Sequence, residues 1–405
     1  MMKKTKKILL TLGLFLLCSI TGCSSGTDKK SDSQSVNSAV EANAATTDEP
    51  KRIKNIGLFM GESYSLTEAA DITDETAEYK SSKPKYVSVD DCGNLHALKA
   101  GKAVITVKTE EATIKCRVNV RKKGMVYPEF TMMKDEHLDL QFSNDTKVKS
   151  WTSSDKSVAK VSKDGQVIAK KKGTAVITGK ADGRTYTCNL KVTKRIKNRI
   201  YLTFDDGPNR YSTTKILNIL KKNNVKATFF ELRPAGNDFD LTKRVIDEGH
   251  TLAMHGFQHK YDQIYKSVPI YHENLDKLQN LFFKKFGVWC TVSRFPGGSS
   301  NTVSRYNKGV MTAITKDIHS WGYHYFDWNV DSGDAGGSRT ADDVYSHVTS
   351  GLYKNRGNVV LMHDFMGNDK TIDALERIIK YGKKNGYTFL PITASTDEVH
   401  HTVNN

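Results

Sequence analysis

The chain has 405 residues and carries 61 lysines and arginines against 45 acids, a formal charge of +16. Such a balance would suit nucleic acid, but no nucleic-acid motif accompanies it. Six cysteines spread thinly over this length exclude a disulfide-built scaffold.

The first residues read as a leader. Lys3, Lys4, Lys6 and Lys7 precede an apolar run from Ile8 to Ile20, too short for a comfortable membrane span. Ile20-Thr21-Gly22-Cys23 then sets small residues before a cysteine, which resembles a bacterial lipoprotein signal. That resemblance implies removal of residues 1–22, a lipid on Cys23 and a protein held on the membrane facing the cell wall. An ordinary secretory signal is the alternative. Export argues against a nucleic-acid partner. Taking the four leader lysines from +16 leaves +12, since residues 1–22 hold no acid. An anionic cell envelope suits that charge, as does simple solubility. Residues 23–51, poor in large apolar side chains, are expected to form a disordered tether. No later apolar stretch is long enough to cross a bilayer.

Residues 52–193 repeat with an offset of 72: Gly93 matches Gly165, Gly101 matches Gly173, and Cys116 matches Cys188. Ala103-Val104-Ile105-Thr106 matches Ala175-Val176-Ile177-Thr178. Short alternating apolar runs between Gly, Asp and Asn turns predict two small all-β sandwiches, over 52–121 and 125–193. Cys116 and Cys188 then read as core packing. A Cys92–Cys116 bridge is possible, with buried free thiols the simpler expectation. The segments Trp151–Asp155, Ser157-Val158-Ala159, Gly165-Gln166-Val167 and Gly173-Thr174-Ala175 resemble bacterial immunoglobulin-like domains of group 2. Such domains usually serve as spacers or adhesive modules.

From Asn198 the period changes, and strand-like runs alternate with helical ones. Strands are predicted at 200–204, 227–230, 251–254, 290–294, 323–328, 358–362 and 388–391. Helices are predicted at 212–222, 241–247, 272–286, 310–320, 341–352 and 370–383, with Ser212 and Thr340 as N-caps. Seven βα units imply a parallel sheet, closed or nearly so. Each patch of unusual chemistry follows the C-terminal end of a strand, the rim where α/β barrels carry their ligand-binding loops.

Five such patches occur in order. Asp205-Asp206 precede Gly207-Pro208; one acid can bind a cation while the other takes a proton. His255 and His259, four apart, can turn toward one ion, and one Asp with two His leaves a coordination position open. His250 is an alternative ligand, but it lies before its strand. Arg294 precedes Pro296-Gly297-Gly298, where bare backbone N–H groups can hold an oxyanion; Arg294 can also fix the free carboxylate. Asp327, Asp331 and Asp334 crowd one loop with Trp328. His363, after Leu361, is a proton donor whose pKa and tautomer a nearby Asp would set.

This ordered set resembles the polysaccharide deacetylases, the NodB-homology domain of carbohydrate esterase family four, over residues 198–395. The resemblance implies a distorted (β/α)7 barrel that removes N- or O-acetyl groups from polysaccharides. It makes Asp205 the base, Asp206, His255 and His259 the metal ligands, and Arg294 the residue that positions the base. Asp331 would tune His363, the acid, and Leu361 would line the acetyl pocket. Three positions depart from the family: Gly256 for Ser or Thr, Gly297 for Tyr, and Ala335 for Trp, whose place Trp328 could take.

The expected cofactor is a divalent metal, zinc before other first-row ions. The expected substrate is a polysaccharide, with peptidoglycan N-acetylglucosamine first and poly-N-acetylglucosamine, chitin fragments and acetylated xylan open. The chain is expected to act as a monomer. A catalytically silent glycan-binding adhesin is the competing reading.

Overall fold

The structure is a computed structural model describing residues 53–405 apart from 61–62, 70–75, 111, 122–125, 143–147, 182–183 and 237. The expected leader, Cys23 and the tether lie outside the described residues. No helix among the described residues is long and apolar enough to cross a membrane.

The repeat in sequence is a repeat in topology. In the first copy, Ile53–Phe59, Thr113–Arg121, Gly101–Lys108 and Glu78–Ser81 form one sheet, in that order, against a three-stranded sheet. Glu129–Met133, Arg184–Thr193, Gly173–Ala181 and Ser150–Ser153 follow the same order in the second. The shared glycines have a common cause. Gly93 has φ +78°, and a Cβ there would lie 2.8 Å from the Tyr79 ring. Gly165 has φ +89°, and a Cβ there would lie 3.0 Å from the Trp151 ring. Each copy thus lays an aromatic side chain over a left-handed turn that only glycine fits. Cys116 and Cys188 are buried at equivalent core positions, whereas Cys92 is exposed.

The remainder is an eight-stranded parallel sheet. Its strands are β1 (Arg199–Asp205), β2 (Thr228–Leu232), β3 (Thr251–Gly256), β4 (Val292–Ser293), β5 (His324–Tyr325), β6 (Val330–Asp331), β7 (Gly357–His363) and β8 (Thr388–Phe389). The order is β5-β4-β3-β2-β1-β7-β6, with β8 also on β1. The helices are α1 (Ser212–Lys222), α2 (Phe239–Asp247), α3 (Tyr261–Ile264), α4 (Val268–Phe286), α5 (Val310–Asp317), α6 (Ala341–Gly351) and α7 (Asp369–Lys384). Of the strand expected over 323–328 only His324–Tyr325 forms, and a further short strand, Val330–Asp331, follows beyond it. β5 pairs with β4, β6 pairs with β7, and the chain between them crosses the gap in the sheet. Residues 396–405 fill that gap: the Val399 carbonyl accepts from Asp327 N–H, and His401 reaches the Trp328 carbonyl.

Thr340 caps α6 in a reciprocal capping box with Asp343. Ser212 is not a cap. It is the first helical residue, and its hydroxyl donates to the Phe365 carbonyl, while Asn209 Oδ1 accepts from the N–H groups of Tyr211 and Ser212.

Strand alternation sorts the side chains. Ile200, Leu202 and Phe204 join the core beneath the helices, with Met254, Val360 and Met362. Tyr201, Phe230, Ala253, Val292 and Val359 form a separate inner core. Because side chains alternate with period two, Asp205, His255, Arg294 and His363 fall on the inner register. The sandwiches dock at the other end of the sheet. The Arg121 guanidinium donates to the Gly287 carbonyl at 3.1 Å, Tyr127 to Thr291 Oγ1 at 2.6 Å, and Ser395 to the Glu136 carboxylate at 2.9 Å. Gly57 packs so closely that a Cβ there would lie 2.3 Å from the Phe283 carbonyl oxygen.

Candidate active site

β1 ends in Asp205, fully enclosed, whose Oδ1 accepts from Arg294 Nη1 at 2.8 Å. Burial pushes its carboxyl up, and the Arg294 charge opposes that rise. Arg294 is itself buried and spends its remaining donors on Thr203 Oγ1 (2.7 Å), the Phe326 carbonyl (2.8 Å) and the Asp327 carbonyl (3.1 Å). Its guanidinium also lies 4.1 Å from the centre of the Phe230 ring. The fork is locked on four acceptors, so the one carboxylate oxygen it meets is held in place.

Asp206 turns the other way, with φ +78°. Its Oδ1 lies 3.4 Å from His255 Nε2 and 3.6 Å from His259 Nε2. That oxygen is buried and accepts no hydrogen bond, an expensive state for an acceptor unless a cation completes it. His255 Nδ1 donates to the Arg294 carbonyl at 3.0 Å, which leaves the Nε2 lone pair facing Asp206. Burial lowers the His255 pKa to about 3, so the imidazole is neutral as a ligand must be. Two imidazoles and one carboxylate are a donor set for zinc, and the residues fit a divalent metal. His250 stands apart: its Nδ1 accepts from Ala227 N–H, a structural role beside the strand start.

The histidine loop is steadied from α4. Asn274 Oδ1 accepts from Gln258 N–H at 3.1 Å, and the Asn274 carbonyl accepts from Phe257 N–H at 3.3 Å. Gly256 has φ +138°, and a Cβ there would lie 2.6 Å from Asn274 Nδ2. The hydroxyl expected of Ser or Thr at 256 is absent because the asparagine occupies its place.

The acid was assigned the wrong partner. Asp331 is exposed and accepts from Gly333 N–H, closing a turn. Asp334 is the residue on His363: its Oδ1 lies 2.7 Å from Nδ1, and its Oδ2 accepts from His363 N–H, Asn368 and Thr371. Burial works against the Asp334 charge, but the hydrogen bonds from His363 and Thr371 hold its carboxyl below the usual range. Burial likewise opposes a charged His363, yet the Asp334 carboxylate lifts it to about 9. Asp364, which sequence reasoning passed over, is buried beneath Gly207, accepts from Thr213 Oγ1 at 2.5 Å and is pushed up to about 7 by burial.

At the rim, Gly297 is exposed with φ +76° and Gly298 has φ +77°. Pro296 is buried, its carbonyl accepting from Tyr265. A Cβ on Gly298 would lie 2.9 Å from Trp328, so the two glycines let the loop lie against that indole. Leu361 is buried on the inner register of β7, two residues before His363. Asp327 accepts from Ser299 N–H and His401 N–H, bracing the loop from beneath. Ala335 is exposed.

An acid clamped by arginine, a carboxylate facing two imidazoles and a charged imidazole, all at one mouth of a parallel α/β sheet, make up an enzyme site of hydrolytic type. A family profile described as Polysaccharide deacetylase matches residues 193–314, and one for the bacterial Ig-like domain of group 2 matches residues 117–185, the second sandwich. A peptidoglycan-N-acetylglucosamine deacetylase of Bacillus cereus is 32% identical over 214 residues, 50% of this chain and 71% of that protein. A bifunctional xylanase/deacetylase of Pseudobutyrivibrio xylanivorans is 30% identical over 55% of this chain and 33% of its own length. Among solved structures, the catalytic domain of a peptidoglycan N-acetylglucosamine deacetylase from Eubacterium rectale matches with a TM-score of 0.50 and 41% identity, covering 53% of this chain and 96% of that one. The chain belongs to the polysaccharide deacetylase family.

Proposed function

We propose that the protein removes acetyl groups from N-acetylglucosamine in peptidoglycan, with Asp205 as base, His363 as acid and a divalent metal held by Asp206, His255 and His259. The observation that carries this reading is the buried, unpartnered Asp206 Oδ1 facing two imidazoles beside an arginine-clamped Asp205. When bound, the metal supplies Lewis acidity toward the acyl oxygen.

The chain's own groups do the rest. Asp205 accepts a proton from the attacking water, and Arg294 keeps its free oxygen aimed. The Gly297 N–H, exposed at the rim, donates to the oxyanion. His363 is charged at neutral pH, and Nε2 carries the proton it gives to the departing nitrogen because Nδ1 is committed to Asp334. Acetate and a free amine result. Leu361 and Trp328 border the acetyl and sugar positions. Zinc is the metal that the donor set favours.

The choice of peptidoglycan leans on the Bacillus cereus and Eubacterium rectale relatives and on the leader, which we read as a lipoprotein signal ending at Cys23 with residues 23–51 as tether. Both repeats are read as immunoglobulin-like spacers of one kind, and the parallel sheet as a distorted (β/α)7 barrel over 198–395. O-acetyl removal from xylan is the second reading, favoured by the Pseudobutyrivibrio relative.

The test measures acetate released by the zinc-loaded protein from peptidoglycan, chitooligosaccharides and acetylxylan. Asp205→Asn should abolish release while metal stays bound, and His255→Ala should lose the metal. Full activity in Asp205→Asn would end the assignment. Binding to glycan without acetate from any substrate would favour the adhesin.

A further inference from the structure

A second group with the same donors as the catalytic cluster lies where residues 396–405 cross β5. Glu398 Oε1 is 2.6 Å from His324 Nδ1 and 3.1 Å from His319 Nε2. His319 belongs to the 3-10 turn Ile318–Trp321, and His324 opens β5. One donor atom from each of the three residues lies within 4.8 Å of the others. The other carboxylate oxygen, Oε2, is 2.7 Å from His400 Nε2. The His400 ring lies flat on Tyr325, with centres 3.8 Å apart.

We propose that His319, His324 and Glu398 form a second divalent-metal site, of zinc type, that fastens residues 396–405 to the edge of the sheet. Two imidazoles and a carboxylate are ligands zinc takes. They come from separate segments, so an ion there would join parts of the fold that no strand pairing connects. His400 acts as an outer partner: its N–H on Oε2 orients the liganding carboxylate, as the outer shell of metal sites does.

The separations are hydrogen-bond lengths. Tetrahedral zinc with bonds of about 2.0–2.1 Å sets its ligands about 3.3 Å apart. Glu398 must therefore draw back from His324 as the ion displaces the shared proton, and it lies in a segment outside helix and strand.

The site faces no substrate group, so its role is structural. Its effect reaches the rim through the next residues. His401 N–H donates to Asp327 Oδ2 at 2.8 Å, and the His401 ring meets the Trp328 carbonyl and Ser300 Oγ. Fixing Glu398 thus fixes the brace under the Gly297–Ser299 loop.

The experiment strips metal from the full chain, titrates zinc and counts bound ions per chain by elemental analysis. The wild type should hold two. Glu398→Gln and Asp206→Asn should each hold one, and the double variant none. His319→Gln, at a half-exposed side chain (44%) whose loss leaves the fold intact, should also hold one. Zinc should raise the melting temperature of Asp206→Asn but not that of Asp206→Asn with Glu398→Gln. If Asp206→Asn holds no ion, or if Glu398→Gln and His319→Gln hold as many as the wild type, the cluster is only a hydrogen-bonded imidazole–carboxylate knot and the proposal is overturned. The Asp206→Asn arm separates this result from failure of the catalytic site.

Discussion

Asn274 occupies the space that any side chain on Gly256 would need. The residue that follows His255 is therefore coupled to a helix that contributes no side chain to the Asp206–His255–His259 cluster.

Replacing Gly256 by Ser meets both a positive φ and a contact at 2.6 Å. We expect a stability loss of about 1–3 kcal/mol in chemical denaturation. Asn274→Ala removes the brace on Gln258 without a clash. It should weaken zinc binding at His255 and His259 by about 10–100-fold, read by metal titration, with a smaller effect on unfolding.

Asp334→Asn and Asp331→Asn separate the two candidate partners of His363. The first should cut kcat by about 10²–10⁴. The second, at an exposed turn residue, should stay within about 0.5 kcal/mol of wild type. Steady-state kinetics on one soluble chitooligosaccharide decides between them.

The same pair sets a pH dependence. His363 titrates above its ordinary 6.5, at about 9. The folded state therefore binds this proton more tightly than the unfolded state. The stability it adds is full below about 6.5 and is lost as pH rises through about 9. Activity that needs the charged imidazole should fall over that alkaline range, and Asp334→Asn should move the fall toward lower pH. A pH–rate profile of kcat for both proteins checks this.

Arg294→Lys keeps the charge but loses the fork. One ammonium cannot serve Asp205, Thr203 and two carbonyls in their present geometry. Leaving buried groups unpaired should cost about 3–5 kcal/mol of stability and lower kcat by about 10²-fold. Denaturation and acetate release are the two readouts.

Removing residues 53–193 breaks three hydrogen bonds to the barrel. At about 1 kcal/mol each and about 2–4 °C per kcal/mol for a domain of this size, the isolated barrel should melt roughly 6–12 °C lower. Calorimetry on the two proteins checks it.

Much of the site was legible because its residues sit at fixed offsets from strand ends. Period-two alternation places Asp205, His255, Arg294 and His363 on one register, so strands read correctly carry the candidate groups with them. The choice between Asp331 and Asp334 was not legible. They lie three residues apart in one polar stretch, and only the turn closed by Asp331 on Gly333 frees Asp334 to swing under His363. The shortening of the strand expected over 323–328 to β5, and the separate strand β6 after it, were also hidden, since they depend on residues 396–405 coming back to fill the gap. Asn209 outcompeted Ser212 as cap because the serine hydroxyl finds the Phe365 carbonyl, a contact over 150 residues long in sequence. The seating of the sandwiches rests on Gly57 against Gly287, two residues with no local signal of that use.

Helix α4 is gripped at two points, by Gly57 and Arg121 where it stops and by Gln258 partway along. It works as a strut between floor and mouth. A pull on the sandwiches is carried along the same rod that sets the height of His255 and His259, so the part of the molecule that would bear tension and the part that would do chemistry are not mechanically independent.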